Sequence, residues 1–165
     1  KGTFFEILEK NYKYVRGFDT SYDGKNKKII KRYVTKKDEI NEKLIILRHT
    51  LEHIPNPYDF LNFLKEISIS NPYILIEVPD FEWIKLKQTF FDITYEHVNF
   101  FSMKTFENLF FLRHVHGRAG VVVKRANAQE TLALTCKHNV IRDNVNNVYG
   151  LTNLIDKFFG NTGHE

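Results

Sequence analysis

Two short apolar runs, Leu44-Ile45-Ile46-Leu47 and Tyr73–Val78, constrain this chain more than any other feature. The first is a continuous run of four, the pattern of a strand buried on both faces. The second reads as another apolar strand, ending at Pro79-Asp80. Between them Asn56-Pro57 announces a helix. Asn is a strong N-cap, and proline's fixed φ suits the first helical position. Phe60, Leu61, Leu64 and Ile67 recur at helical spacing and form its buried stripe. Strands alternating with helices imply an α/β domain with a mostly parallel sheet.

The remaining elements extend this pattern. Residues 3–13 read as a helix, with Phe4, Phe5, Leu8 and Tyr12 on one face. Residues 14–18 are expected to form a short strand stopping at Asp19, and Thr20–Gly24 is turn chemistry. Ile29–Val34 is a further strand and Lys36–Lys43 a charged connection. Residues 81–101 read as a long aromatic-rich connection, after which Ser102 caps a helix carrying Phe106, Leu109 and Phe110. Gly120–Lys124 and Thr131–Cys136 are expected to pair as an antiparallel hairpin. The tail 137–165 carries a short helix at Leu151–Phe159.

The chain's 165 residues fit one domain. With 42% hydrophobic residues, including 15 phenylalanines and 8 tyrosines, an aromatic-rich core is available. The single cysteine, Cys136, makes no internal disulfide and suits a reducing cytoplasm. No apolar run approaches the ~20 residues that span a bilayer, so no membrane partner is expected. There is no basic-then-apolar leader, and a start at Lys1 without Met reads as cut or processed. A net charge of +4 permits an anionic ligand such as a nucleotide. The lysines are scattered among acids, with no basic stripe interleaved with aromatics, so nucleic acid is not the expected partner.

Open α/β sheets bind ligands beyond the carboxyl ends of their strands, which directs attention to Gly2, Asp19, the Arg48–His53 segment and Pro79-Asp80. A carboxylate at Asp19 can accept bonds from two ribose hydroxyls, or simply start a turn. Gly2, opening the first helix, lets backbone amides approach a ligand. His49-Thr50-Leu51-Glu52-His53 matches H-x-x-E-H, a zinc pattern that requires a regular helix. Pro55 and Pro57 follow too closely for such a helix. Zinc proteolysis is therefore not expected, and no metal is assigned. A loop or single turn with Glu52 and His53 facing the crevice fits better, beside the plain alternative of a histidine packed under the loop. Tyr95-Glu96-His97, inside the long connection, supplies a base and an orienting group. Phe90, Phe91, Phe100 and Phe101 would pin that connection to the core.

In order and spacing, four blocks resemble the class I S-adenosylmethionine-dependent methyltransferases, closest to the branch of sugar C-methyltransferases. They are Gly17-Phe18-Asp19-Thr20-Ser21, Leu44 through Pro55, Ile74 through Asp80, and Tyr95-Glu96-His97-Val98-Asn99-Phe100-Phe101-Ser102. The resemblance covers about residues 1–136, read as one methyltransferase domain truncated at its amino end. It implies a Rossmann-like sheet, mostly parallel with an antiparallel C-terminal hairpin, and S-adenosyl-L-methionine as cofactor. Lys1-Gly2 would end the family's glycine-rich loop, with the first, central strand missing before them. Asp19 with Thr20 would hold the ribose, and Gly2, Arg48 and His49 the methionine end. His53, Glu96 and His97 would serve proton transfer, with Tyr95 beside them. The acceptor implied is a small molecule, a sugar or nucleotide-sugar. Those enzymes also carry a cysteine-rich zinc module, which a chain with one cysteine does not match.

Two other functions fit less of the chain. A non-catalytic methyltransferase-like binding fragment would not bind the cofactor. A nucleic-acid methyltransferase would show strongly salt-dependent binding.

Overall fold

A computed structural model describes residues 3–70, 72–111, 124–126 and 131–137 of the chain. Two compact units meet in sequence between Glu39 and Ile40. Gly2, residues 120–123 of the strand expected over Gly120–Lys124, and the tail after Lys137 with its expected helix over 151–159 lie outside the described residues.

In the first unit, helix α1 (Thr3–Asn11) carries Glu6 in its first turn and Lys10 in its last, complementing the helix dipole. Its carboxylate Glu9 bonds Lys28 at 2.7 Å and Asn26 at 2.7 Å. The expected strands are present but short. Strand β1 (Gly17–Phe18) pairs in parallel with β2 (Ile29–Ile30). The chain passes close to α1 at Gly17, where a Cβ would stand 3.2 Å from the Phe5 ring. The expected strand over 29–34 stops at Ile30 because the chain turns to serve a buried carboxylate. Asp38 takes both guanidinium nitrogens of Arg32 at 2.6 Å, and the Thr35 amide and hydroxyl at 2.7 Å. These bonds, Arg32 first, hold the Asp38 carboxyl well below the usual carboxylate range. The stretch read as a charged connection thus has a buried polar knot in it. Tyr22 is buried against the turn that follows it, packed at Gly24 and with its hydroxyl accepting from the Asn26 amide.

The second unit is built on a four-stranded sheet in the order β3-β4-β6-β5. Strand β3 (Leu44–Arg48) runs parallel to β4 (Tyr73–Pro79), in register from Leu44 opposite Tyr73 to Arg48 opposite Glu77. Strands β5 (Lys124–Ala126) and β6 (Thr131–Lys137) complete it, β6 antiparallel to both β4 and β5. The connection from β3 to β4 is helix α2 (Pro57–Glu66). Its cap is as the sequence indicates: Asn56 Oδ1 accepts from the Asp59 amide. Leu61, Leu64 and Ile67 are buried beneath it and Phe60 half-buried.

Burial is divided unequally between the two apolar strands. β4 is covered on both faces, with Ile74, Leu75, Ile76 and Val78 each no more than 4% exposed. β3 is only half-covered, and Leu47 alone is buried. The expected burial on both faces is therefore met only in part; among the described residues β3 pairs with β4.

The long connection expected over 81–101 is replaced by structure. Helix α3 (Phe81–Lys87) starts on Asp80, whose Oδ1 accepts from the Glu82 amide at 2.9 Å. It ends with Gln88 in the left-handed region, φ 54°. A 3-10 turn over Phe90–Asp92 follows. The helix leaves little periodic signal in the sequence, because it has no buried stripe: of its residues only Ile84 is buried, and Leu86 is exposed. The pinning role expected of the phenylalanines holds for Phe100, packed on Phe81, and for Phe101, packed on Phe106, but not for Phe90 and Phe91. Phe90 and Phe91 are 71% and 94% exposed, while Phe101 is buried. Helix α4 (Met103–Phe111) then begins after Ser102, whose Oγ accepts from the Thr105 amide, and buries Phe106 completely. No helix among the described residues is long and apolar enough to cross a membrane.

Candidate functional site

The carboxyl end of β3 is where the side chains converge. Arg48, the last residue of the strand, reaches across the parallel register to Glu77, its Nε on Oε2 and its Nη2 3.1 Å from Oε1. Glu77 is the one charge inside the second apolar run, and it is buried because this pairing compensates it. His49 then turns the chain with φ 45°, and its amide donates to the Glu77 carbonyl. The chain completes one 3-10 turn, Leu51–His53, before Ile54 extends toward Pro55. Leu51, at 0% exposure, anchors the turn.

Glu52 is 1% exposed, and neither carboxylate oxygen has a hydrogen-bond partner among the described residues. The nearest charge partner is His49, whose Nδ1 lies 3.3 Å from Oε1 without hydrogen-bond geometry. Glu52, and then Glu77, raise the His49 pKa above its ordinary value, against burial and the charge of Arg48.

The segment 94–99 is tied onto this turn by main-chain bonds. The Glu52 carbonyl accepts from the Val98 amide at 2.9 Å and the Asn99 amide at 3.1 Å. Asn99 Nδ2 donates to the Ile54 carbonyl at 2.6 Å. His53 Nδ1 lies 2.9 Å from the Glu96 carbonyl. A carbonyl only accepts, so Nδ1 carries the proton and a neutral His53 keeps its lone pair on Nε2. These ties bring His97 to His53 edge-on, with ring centroids 4.8 Å apart. His97 also meets Phe100, which packs on Phe81.

Of the residues expected to move protons, His53 and His97 are together. Glu96 contributes its main-chain carbonyl to His53, while Tyr95 is 92% exposed. Of those expected to hold the cofactor, Arg48 and His49 stand at the end of β3. Asp19 and Thr20 close β1 in the first unit, both exposed. Asp19 Oδ1 accepts from the Ser21 amide and hydroxyl, both at 2.8 Å, so the carboxylate also shapes its own turn. Glu77 and Asn99 were not singled out by the sequence. Glu77 had a signal, a lone charge in an apolar strand; Asn99 had none.

A β-α-β crossover between parallel strands, with polar side chains gathered at the strands' carboxyl ends, defines a Rossmann-like α/β domain. The profile of a family described as Methyltransferase domain matches residues 1–112, and the chain belongs to that family, one of class I S-adenosylmethionine-dependent methyltransferases. A search of curated proteins returns no match.

Proposed function

We propose that this chain transfers a methyl group from S-adenosylmethionine to a small-molecule acceptor of the sugar or nucleotide-sugar class, with the acceptor's proton handled at the His53–His97 pair. Domains of this family typically use that cofactor, which when bound supplies a methyl on a sulfonium centre for in-line displacement. The residues fit such a group. Asp19 offers an exposed carboxylate at the carboxyl end of a parallel strand, suited to ribose hydroxyls. The Arg48–His53 segment leaves β3 at the same end of its own strand pair.

What remains for the chain is to orient the acceptor and take its proton. The observation that carries this reading is the meeting of His53 and His97, 4.8 Å between ring centroids, on a turn stapled by the Glu52 carbonyl. His53, with its proton on Nδ1, presents Nε2 as the accepting atom.

The test is His53→Ala and His97→Ala, with turnover and cofactor affinity measured separately. Loss of a positioned base lowers turnover by about 10²–10⁴-fold, while cofactor affinity is kept. Unchanged turnover in both variants would remove the assignment.

A further inference from the structure

Glu52 is an anomaly that methyl transfer does not explain. A buried carboxylate with no hydrogen bond to either oxygen is costly unless a positive charge stands beside it. His49 Nδ1 stands 3.3 Å from Oε1, and Oε2 has no charge partner among the ion pairs of the described residues. Two further imidazoles, those of His53 and His97, also lie near the carboxylate. One ligand atom each from Glu52, His53 and His97 lies within 4.8 Å of the other two.

We infer that Glu52, His53 and His97 form a binding site for a divalent transition-metal ion of the zinc or cobalt type. Two imidazoles and one carboxylate suit such borderline ions better than magnesium or calcium, which prefer oxygen ligands throughout. Contraction of the three atoms toward a common centre at about 2.0–2.2 Å is a small movement from their present spacing.

Support for the ligands is already in place. Metal-binding histidines usually donate their other ring N–H to a carbonyl or carboxylate, which fixes tautomer and orientation. His53 does this through Nδ1 to the Glu96 carbonyl, leaving Nε2 for an ion. The Glu52 carbonyl holds the Val98 and Asn99 amides, and so fixes His97 relative to the other two. Three protein ligands leave further coordination positions for water or an acceptor oxygen. This ligand set differs from the H-x-x-E-H reading, which pairs His49 with His53. Here His97 replaces His49, and only the fold brings it there. The site lies where the proposed function places the acceptor and rests on that reading for its role only. An ion on His53 Nε2 occupies the atom that the metal-free chain offers as proton acceptor, so metal binding and proton acceptance at that nitrogen exclude each other.

The test is titration of the full chain with zinc chloride by calorimetry and with cobalt chloride by visible absorption, with magnesium chloride for comparison. One equivalent of zinc or cobalt is expected to bind, and magnesium not to compete. Glu52→Gln and His97→Ala are each expected to weaken that site by more than about 100-fold, beyond the 10–100-fold typical of losing a supporting group. His49→Ala is expected to retain it. X-ray absorption of the zinc-loaded wild-type chain, which needs no variant to fold, is expected to show an N/O shell with two imidazoles. Absence of stoichiometric binding, a sulfur ligand, His97→Ala binding like wild type, or loss of the site in His49→Ala would each overturn the inference. Cofactor titration is run alongside. Metal binding without cofactor binding would sink the proposed function alone, and cofactor binding without metal the metal site alone.

Discussion

At the scale of single residues, the main chain does work that the sequence suggested for side chains. Glu96 was expected to orient a catalytic histidine through its carboxylate, yet the contact to His53 comes from the Glu96 carbonyl. Any residue at that position offers the same carbonyl. Glu96→Ala is therefore expected to change turnover by less than about tenfold, ~1.4 kcal/mol of barrier, in the assay that registers the histidine variants. A larger loss would show that the carboxylate itself takes part. Leu51 makes the opposite case, a side chain with no chemistry and full burial at the root of the turn carrying Glu52 and His53. Leu51→Ala is expected to cost about 2–5 kcal/mol of stability, as removal of a packed leucine does. Denaturant midpoints compared at equal slope would measure it.

At the scale of elements, capping and pairing decide where each piece stops. Helix α2 begins where Asn56 caps it, and helix α3 where Asp80 does, although α3 has almost no buried face. β2 ends early because Arg32 and Thr35 turn to Asp38. That knot carries a pH dependence whose sign follows from its cause. The Asp38 carboxyl is held lower in the folded chain than in the unfolded one, where it is about 3.9. Its contribution to stability is present above about pH 4 and is lost as pH falls from there toward the folded value, because the unfolded chain binds the proton first. Urea midpoints measured from neutral pH down to about pH 3 should fall in the wild type. Asp38→Asn should be less stable at neutral pH and show a shallower acid slope. Parallel slopes would assign the acid sensitivity to other carboxylates.

At the scale of the whole molecule, the second unit is organised around β4. It pairs with β3 on one side and β6 on the other, and four of its apolar side chains are almost wholly enclosed. Amides protected this way open only with the unit as a whole. Hydrogen exchange is expected to be slowest at Ile74, Ile76 and Val78, slower than in α3, whose face is largely exposed. Equal protection of α3 and β4 would contradict this arrangement.

Much of the frame is legible in the sequence. The two apolar runs, the Asn56-Pro57 start of α2, the parallel pairing and the turn between Arg48 and Pro55 follow from signals carried within a few neighbouring residues. Periodicity, capping and proline restriction act locally, so a linear text contains them. The tertiary structure alone decided that β3 is only half-covered and that Arg48 meets Glu77, 29 positions on. It also decided that His97 comes to rest against His53 beside a buried Glu52 whose oxygens accept no hydrogen bond among the described residues. Such meetings depend on strand register and on which carbonyl a distant amide finds, and neither leaves a mark on the spacing of residues along the chain.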